Sequence, residues 1–324
     1  MSNTIRICHI SDLHLSETPN EQSYKEVFSF YKCRKKRESK GVFTTYQLDK
    51  MYALCEFVNN NTELFDIILI TGDISSSASI DDLTTTKEHI IKENTNYGNW
   101  YHNSSVKGVI PCIKHPHIFL LPGNHDRIIP INVSTYQYSD YFNSVFIDFW
   151  NPTGNSKRID LSKISGLENS KKDIYLLKVD FSLKQEDLKL QNVGKGKVYD
   201  EILNELNKIL CKLRELNEKF ILTFHYPPKL DGLSKLLELL DEDKLISLLN
   251  QYNIKIIFTG HSHFGTQKII DGTNIQNLCN DATTSFCDKS SISIYEIDMD
   301  NENVIGTKIY SWDEMKSNFV LVTI

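Results

Sequence analysis

Hydrophobic residues fall along this chain in short, nearly unbroken runs set between long polar stretches. The runs are IRICHIS (5–11), FDIILIT (65–71), HIFLLP (117–122), IYLLKVDF (174–181), FILTFH (220–225) and IKIIFTG (254–260), all rich in β-branched and aromatic residues. A short apolar run without alternation predicts a strand buried on both faces. Helical periodicity appears between them. Val198, Ile202, Leu206, Ile209, Leu210 and Leu213 predict a helix over 198–213, and Leu233, Leu236, Leu237, Leu240, Leu245 and Leu249 predict another over 232–250. Phe142, Phe146, Phe149 and Trp150 share a helical spacing and read as core. Strands alternating with helices predict an α/β fold. Beyond residue 265 the helical pattern stops, and TQKII, NIQNLC, SISIYEID and VIGTKIYSW predict adjacent strands, a second sheet or a sheet edge.

Three polar stretches, 16–45, 76–112 and 151–172, read as insertions or long loops in a single domain spanning 1–324. Loops beyond about 15 residues are uncommon in compact domains and tend to be functional. A hydrophobic fraction of 40% and a charged fraction of 24% exclude a disordered or fibrous chain. The net charge of -6 gives no global attraction for nucleic acid or an anionic membrane, so phosphate binding would need a local device. The 7 cysteines are odd in number and contain no C-x-x-C, which argues against a disulfide framework. The N-terminal stretch has no signal-peptide run and nowhere do eighteen apolar residues follow one another, so a reducing, cytoplasmic location away from membranes is expected.

The chemistry gathers at the ends of the runs. ISDLH delivers Asp12 and His14, ILITGD delivers Asp73, FLLPGNHD delivers Asn124, His125 and Asp126, ILTFH delivers His225, and IIFTGHSH delivers His261 and His263. In α/β sheets the carboxyl ends of parallel strands form the ligand-binding edge, so these residues are expected to converge. Any one of them reads more simply as a satisfied core histidine or a turn aspartate. Together they do not, because burying several aspartates and histidines without compensation costs several kcal/mol per charged group. A metal supplies that compensation.

The ordered series DLH, GD, GNHD, the histidine of FHYPP, and GHSH resembles the calcineurin-like metallophosphoesterase superfamily, from residue 5 to about 265, and the strand-rich tail is similar to that family's second sheet. The resemblance implies a four-layer α/β/β/α sandwich with two mixed sheets and a two-metal site at the strand ends. It implies Asp12, His14, Asp73 and His263 on one metal and Asp73, Asn124, His225 and His261 on the other, with Asp73 bridging. Mixed nitrogen and oxygen ligands suit Mn, Fe, Zn or Ni as divalent or mixed-valence ions. The implied reaction is phosphoester hydrolysis by a metal-bridging hydroxide, with His125 stabilising the transition state or protonating the leaving oxygen. Gly123 would allow the tight turn. Asp126 has two readings, an orienter of His125 or a cap of the turn.

Within the superfamily, HISDLHLS, LLPGNHD, VDFSL followed by GKGKVYDEILNELNKIL, FHYPP and TGHSHFG look most like the bacterial cyclic-nucleotide phosphodiesterase branch. A small phosphodiester or nucleotide substrate is therefore expected. A phosphomonoesterase and a DNA nuclease of the repair type are the enzymatic alternatives. The basic run Lys32, Arg34, Lys35, Lys36 and Arg37 would suit the nuclease, while the short stretch after Gly265 does not resemble its capping domain. An interaction scaffold like the retromer subunit of the same fold is the non-enzymatic alternative, and the complete ligand set speaks against it. His9 reads as a core histidine, His115 and His117 as loop residues, and His89 and His102 as solvated. Tyr136, Tyr138, Trp100 and Tyr101 are candidates for stacking on a nucleobase.

Overall fold

Each of those apolar runs is a strand in the computed structural model, which describes residues 3–15, 48–91, 112–131, 135–165, 173–229, 235–284 and 289–322. The strands are β1 (Thr4–Ile10), β2 (Ile67–Thr71), β3 (Ile118–Leu121), β4 (Ile128–Pro130), β5 (Tyr136–Tyr138), β6 (Ile159–Ile164), β7 (Ile174–Val179), β8 (Gly196–Lys197), β9 (Lys219–Phe224), β10 (Leu239–Leu240) and β11 (Ile256–Thr259). The tail adds β12 (Thr266–Ile269), β13 (Gln276–Cys279), β14 (Ser291–Asp298), β15 (Asn303–Asp313) and β16 (Asn318–Val322). The helices are α1 (Leu48–Asn60), α2 (Ile80–Ile91), α3 (Tyr141–Val145), α4 (Asp200–Glu215) and α5 (Glu242–Gln251).

Two six-stranded sheets result, one ordered β16-β15-β14-β1-β2-β3 and the other β12-β13-β11-β9-β7-β6. In the first, β1, β2 and β3 are parallel and the other three strands antiparallel. In the second, β13, β11, β9 and β7 are parallel and each edge strand is antiparallel. Both sheets are mixed, as expected.

Side chains alternate across a strand, and here both sets are apolar. Ile5 and Ile7 of β1, Ile67 and Leu69 of β2, Leu176 of β7, Ile221 of β9 and Phe258 of β11 fill the layer between the sheets. Cys8 and Ile10, Ile68 and Ile70 point the other way, into a cluster with Met51, Leu54 and Val58 of α1 and Leu83 and Ile90 of α2. Leu177, Val179, Leu222 and Phe224 meet Ile202, Leu206 and Leu210 of α4 and Leu245 and Leu249 of α5. Three apolar interfaces separate four layers, which is the α/β/β/α sandwich.

Several expectations change. The stretch 76–112 contains α2, opened by Ser79, whose Oγ accepts from the Asp82 amide at 3.2 Å. The stretch 151–172 contains β6, an edge strand of mixed burial that carries no continuous apolar run. The helix expected over 232–250 begins only at Glu242, because Leu239 and Leu240 pair with β8 and Asp241 turns the chain at φ 60°. The tail divides between both sheets: β12 and β13 extend one, β14 to β16 the other. Residues 16–47 and 92–111, with the basic run 32–37, Trp100, Tyr101 and His102, lie outside the described residues. Among the described residues, no helix is long and apolar enough to cross a membrane.

The layer between the sheets is expected to dominate stability. Leu176 is fully buried there, and Leu176→Ala should cost about 2–5 kcal/mol through lost burial and the cavity left behind. Urea unfolding should show a lower midpoint at unchanged slope; an unmoved midpoint would contradict the packing described.

Candidate metal centre

The parallel neighbours β1, β2 and β3 end on the same edge as β9 and β11 of the facing sheet. Past their last residues, β1 and β2 keep pairing: the amides of Asp12 and His14 donate to the carbonyls of Gly72 and Asp73 at 3.1 and 2.9 Å. The two sheets are tied where the strands stop. His225 Nδ1 lies 2.6 Å from the Thr71 carbonyl, and the His261 amide donates to Asp12 Oδ2 at 3.0 Å. Gly260 makes this approach possible, since a Cβ there would strike Ser11 Oγ and stand 2.9 Å from the Thr71 carbonyl.

The backbone at these turns is unusual. Asp12, His14, Asp73, His261 and His263 have φ of 53°, 51°, 48°, 68° and 56°, in the left-handed region. Non-glycine residues seldom adopt it, although Asp and His do so more than most. Such conformations persist where the surrounding structure over-determines them, commonly at functional sites.

The side chains form three overlapping groups: Asp12 with His14 and His263, His14 with Asp73 and His125, and Asp73 with His225 and His261. Within each group the donor atoms all lie within 4.8 Å of one another. His14 Nε2 faces His263 Nε2 at 3.1 Å, and His261 Nδ1 faces His225 Nε2 at 3.1 Å. Two ring nitrogens in such a pair can share only one proton, whereas a cation serves both. Asn124 Oδ1 and His261 Nε2 are buried with no hydrogen-bond partner, and the buried Asp12 Oδ1 faces only His263 Nε2, at 3.4 Å. Polar atoms so poorly satisfied at that depth are costly, and a metal would satisfy them. Distance alone would also admit His125 to the donor set.

Electrostatics favour a cation as well. Burial pushes His14 down to about 3, with His125 adding to the effect. Burial, then the charge of His225, brings His261 to about 3. For Asp12 and Asp73 burial would raise the carboxyl, but the surrounding histidines outweigh it, holding Asp12 at about 2 and Asp73 well below the usual value. Burial would lower His225, yet Asp73 Oδ2, 3.3 Å from its Nε2, holds it at about 9. A metal taking Nε2 would displace that proton.

The GNHD turn divides its work. Gly123 is needed for room rather than for an unusual φ, because a Cβ there would run into Asp73 Oδ1. The His125 amide donates to Asp73 Oδ1 at 2.8 Å, and its Nδ1 lies 2.9 Å from the Ser76 carbonyl. Asp126 is not the orienter of His125. Its carboxylate accepts from the amides of Gly123, Ile74 and Ser75 and from Ser75 Oγ, at 2.8 to 3.1 Å, so it caps the turn and fastens it to the end of β2. Burial, then the nearby charge of Asp73, raises it to about 6. Beside the centre opens a cleft of about 420 Å³ reaching from His14, Asp73, Asn124 and His125 to Ile128, Tyr136, Val193, Leu237 and Phe264.

The family model described as calcineurin-like phosphoesterase matches residues 5–265. The chain belongs to that family. No curated protein matches the sequence. Among solved structures, a dimetal phosphatase from Danio rerio is similar at a TM-score of 0.55 and 12% identity, covering 96% of each chain. A phosphatase from Mycoplasma pneumoniae gives 0.46 at 10% identity, covering 96% of this chain and 94% of that one. At such identities the first shows a shared fold and no more. Calcineurin-like phosphoesterases are typically metal-binding hydrolases of phosphate esters, and the donor groups here fit that role.

In this calcineurin-like phosphoesterase, Asp12, His14, Asp73, His225, His261 and His263 fall within the donor groups, and Asn124 lines the adjoining cleft. His9 is a core residue, 2.9 Å from Thr71 Oγ1 and edge-on to Phe258. His115 and His117 sit in the loop before β3. Tyr138 lies over Arg127 and Arg158 at 5.9 and 4.8 Å, while Tyr136 lines the cleft. Sequence reasoning missed Ser11, whose Oγ donates to Asp12 Oδ2 at 2.6 Å, and the Ser76 carbonyl. It also missed Arg127, which follows GNHD and bonds the fully buried Asp180 at 2.8 Å, with Arg158 at 3.4 Å on the other oxygen. An aspartate ending the apolar run IYLLKV was the available signal.

That buried pair yields a prediction. Burial alone would raise Asp180, but Arg158, Arg127 and the bonds from Ser182 outweigh it and hold the carboxyl below its usual value. Its stabilisation is therefore complete above the unfolded value of about 3.9 and lost as pH falls through the lower folded value. Asp180→Asn should cost about 3–5 kcal/mol at neutral pH by removing the buried carboxylate that compensates the Arg127 and Arg158 guanidinium groups. Unfolding followed against pH should show a smaller acid-dependent loss in the variant; an identical pH dependence would remove Asp180 from the balance.

Proposed function

We propose that this chain is a two-metal phosphoesterase that hydrolyses small phosphodiesters, 3′,5′-cyclic nucleotides among them. The carrying observation is the sharing of Asp73 between donor groups that also contain His14 on one side and His225 and His261 on the other. Asp12, His14, Asp73 and His263 would hold one ion, and Asp73, Asn124, His225 and His261 the second. The description of the Danio rerio neighbour as a dimetal phosphatase supports two ions. Nitrogen and oxygen donors without thiolate suit Mn, Fe, Zn or Ni. When bound, such ions would polarise the phosphoryl oxygens and bring a water's pKa near neutrality.

The chain's own residues do the rest. The bond between His125 Nδ1 and the Ser76 carbonyl commits that nitrogen to structure, so Nε2 is the atom that would pass a proton to the departing oxygen. Hydrolysis of a diester breaks a P–O bond and expels an alkoxide, which that proton would neutralise. His225 presents Nε2 because Nδ1 is held by Thr71, and Ser11 fixes Asp12. The cytoplasmic setting belongs to the same proposal and rests on cysteines carried as free thiols, Cys8, Cys55, Cys112 and Cys279 in the interior.

Metal content tests the bridge. Asp73→Ala should lower occupancy at both positions, whereas His14→Ala should empty mainly one, read by elemental analysis of purified protein. Two ions still bound stoichiometrically to Asp73→Ala would sink the assignment.

Turnover tests the substrate. Metal-loaded protein should cleave a cyclic nucleotide and a generic phosphodiester faster than a phosphomonoester or DNA. His125→Ala should lose about 10² to 10⁴ in rate with metal content nearly intact. Cleavage of monoesters alone would make the chain a phosphatase, and cleavage of DNA alone a nuclease. Wild-type turnover in His125→Ala would take that histidine out of the mechanism.

A further inference from the structure

We infer that the apolar side of the cleft, formed by Phe264, Leu237, Val193 and Ile128, is the pocket for a bulky aromatic or apolar ester group of the substrate, and that Phe264 sets the preference. The inference rests on the phosphoesterase reading for the identity of the other end of the ligand, the phosphoryl group at the donor cluster.

Phe264 follows His263 directly and is 68% exposed where it lines the cleft. The exposure does not come from a loose loop. The Phe264 amide donates to Ser262 Oγ at 3.2 Å, that hydroxyl donates to the Phe264 carbonyl at 2.9 Å, and the Gly265 amide donates to Asp281 Oδ1 at 2.5 Å. A phenyl ring held in water on fixed backbone gains free energy from any apolar surface that covers it.

The rest of the apolar lining is built separately from the three main apolar layers. Ile128, Tyr136 and Val193 form a cluster of their own, with Leu188 and Leu190 packed against it. Gly194 seats the loop after Val193 against the next wall segment: a Cβ on it would stand 2.9 Å from both the Leu236 carbonyl and Leu237 Cδ2. Two loops distant in sequence thus make one continuous surface ending at His125 and His263. A phosphate ester with its phosphoryl group at the donor cluster would lay its organic part along this surface. Ser76 Oγ donates to the His14 carbonyl at 2.5 Å, and Ser262 Oγ is engaged as above. With those hydroxyls occupied, the four apolar side chains offer the ester group a surface that reads size and apolarity.

The test compares two non-hydrolysable probes, methylphosphonate and naphthylmethylphosphonate, by calorimetry on manganese-loaded full-length protein. Wild type should bind the naphthyl compound at least about tenfold more tightly, given the apolar area such a ring can bury. In Phe264→Ser the ratio of the two affinities should fall toward one, and Leu237→Ser should reduce it in the same direction. Equal affinities in wild type would overturn the inference, as would a preference that survives both substitutions. The ratio is read without turnover, so a protein that binds naphthylmethylphosphonate selectively yet cleaves no phosphoester would overturn the hydrolytic reading and leave the pocket standing.

Discussion

Asp73 is an ionised carboxylate, 2% exposed, at the seam where the strand ends of both sheets meet. A charge at that depth is tolerable only if its oxygens are occupied from close range. One oxygen accepts the His125 amide from the turn after β3 and the other faces His225 from the end of β9. Its compensation therefore comes from two different sheets. Sliding either sheet by even part of a residue would strip one oxygen, with a penalty of several kcal/mol. The apolar layer between the sheets, from Ile5 and Leu69 to Leu176 and Phe258, is what prevents that slide. Packing in the middle of the molecule and charge at its edge are one problem.

The same demand explains the backbone. Strands β1, β2 and β11 each carry their donors into the left-handed region immediately after the last strand residues. Conformations of this kind cost on the order of 1–3 kcal/mol each in unfavourable cases, less for Asp and His. They are imposed here by continued pairing of the β1 and β2 exits and by the close seating of Gly123 and Gly260. A fold selected only for stability would relax these turns. Their persistence is an argument from structure that the strand ends serve binding.

The central strands and the donor series were legible because both follow directly from burial. A strand covered on both faces must be apolar throughout, so β1, β2, β7, β9 and β11 stood out, and ligand types at their ends broke the pattern abruptly. The edge strand β6 and helix α2 did not stand out. Helix α2 sends Leu83 and Ile90 into the core and is otherwise rich in threonine and charge. The start of α5 was hidden because the leucines before Glu242 serve the short strand β10 and the cleft wall, not a helix face. Asp126 could not be read from its neighbours. Direction of a carboxylate depends on which amides the fold offers, and here Ile74, Ser75 and Gly123 offered them. Arg127 and Asp180 lie 53 positions apart, with nothing local to join them.

Anchoring from behind and openness in front recur across the cleft. The His125 backbone is fixed to Asp73 and its Nδ1 faces the Ser76 carbonyl, yet the residue keeps partial exposure where Asp12, Asp73 and His261 have almost none. Behind the turn, the Arg127 side chain is fully buried against Asp180 and Asn143, and the Arg127 amide closes on the Asn124 carbonyl at 3.1 Å. Phe264 repeats the arrangement with a different chemistry, its backbone held by Ser262 and its ring exposed. Groups fixed in this way lose little further conformational freedom when a ligand arrives, so more of the interaction energy remains for binding and for the reaction. The rigid rear of the site is therefore part of its chemistry, even though none of Arg127, Asp180 or Asp126 needs to touch the substrate.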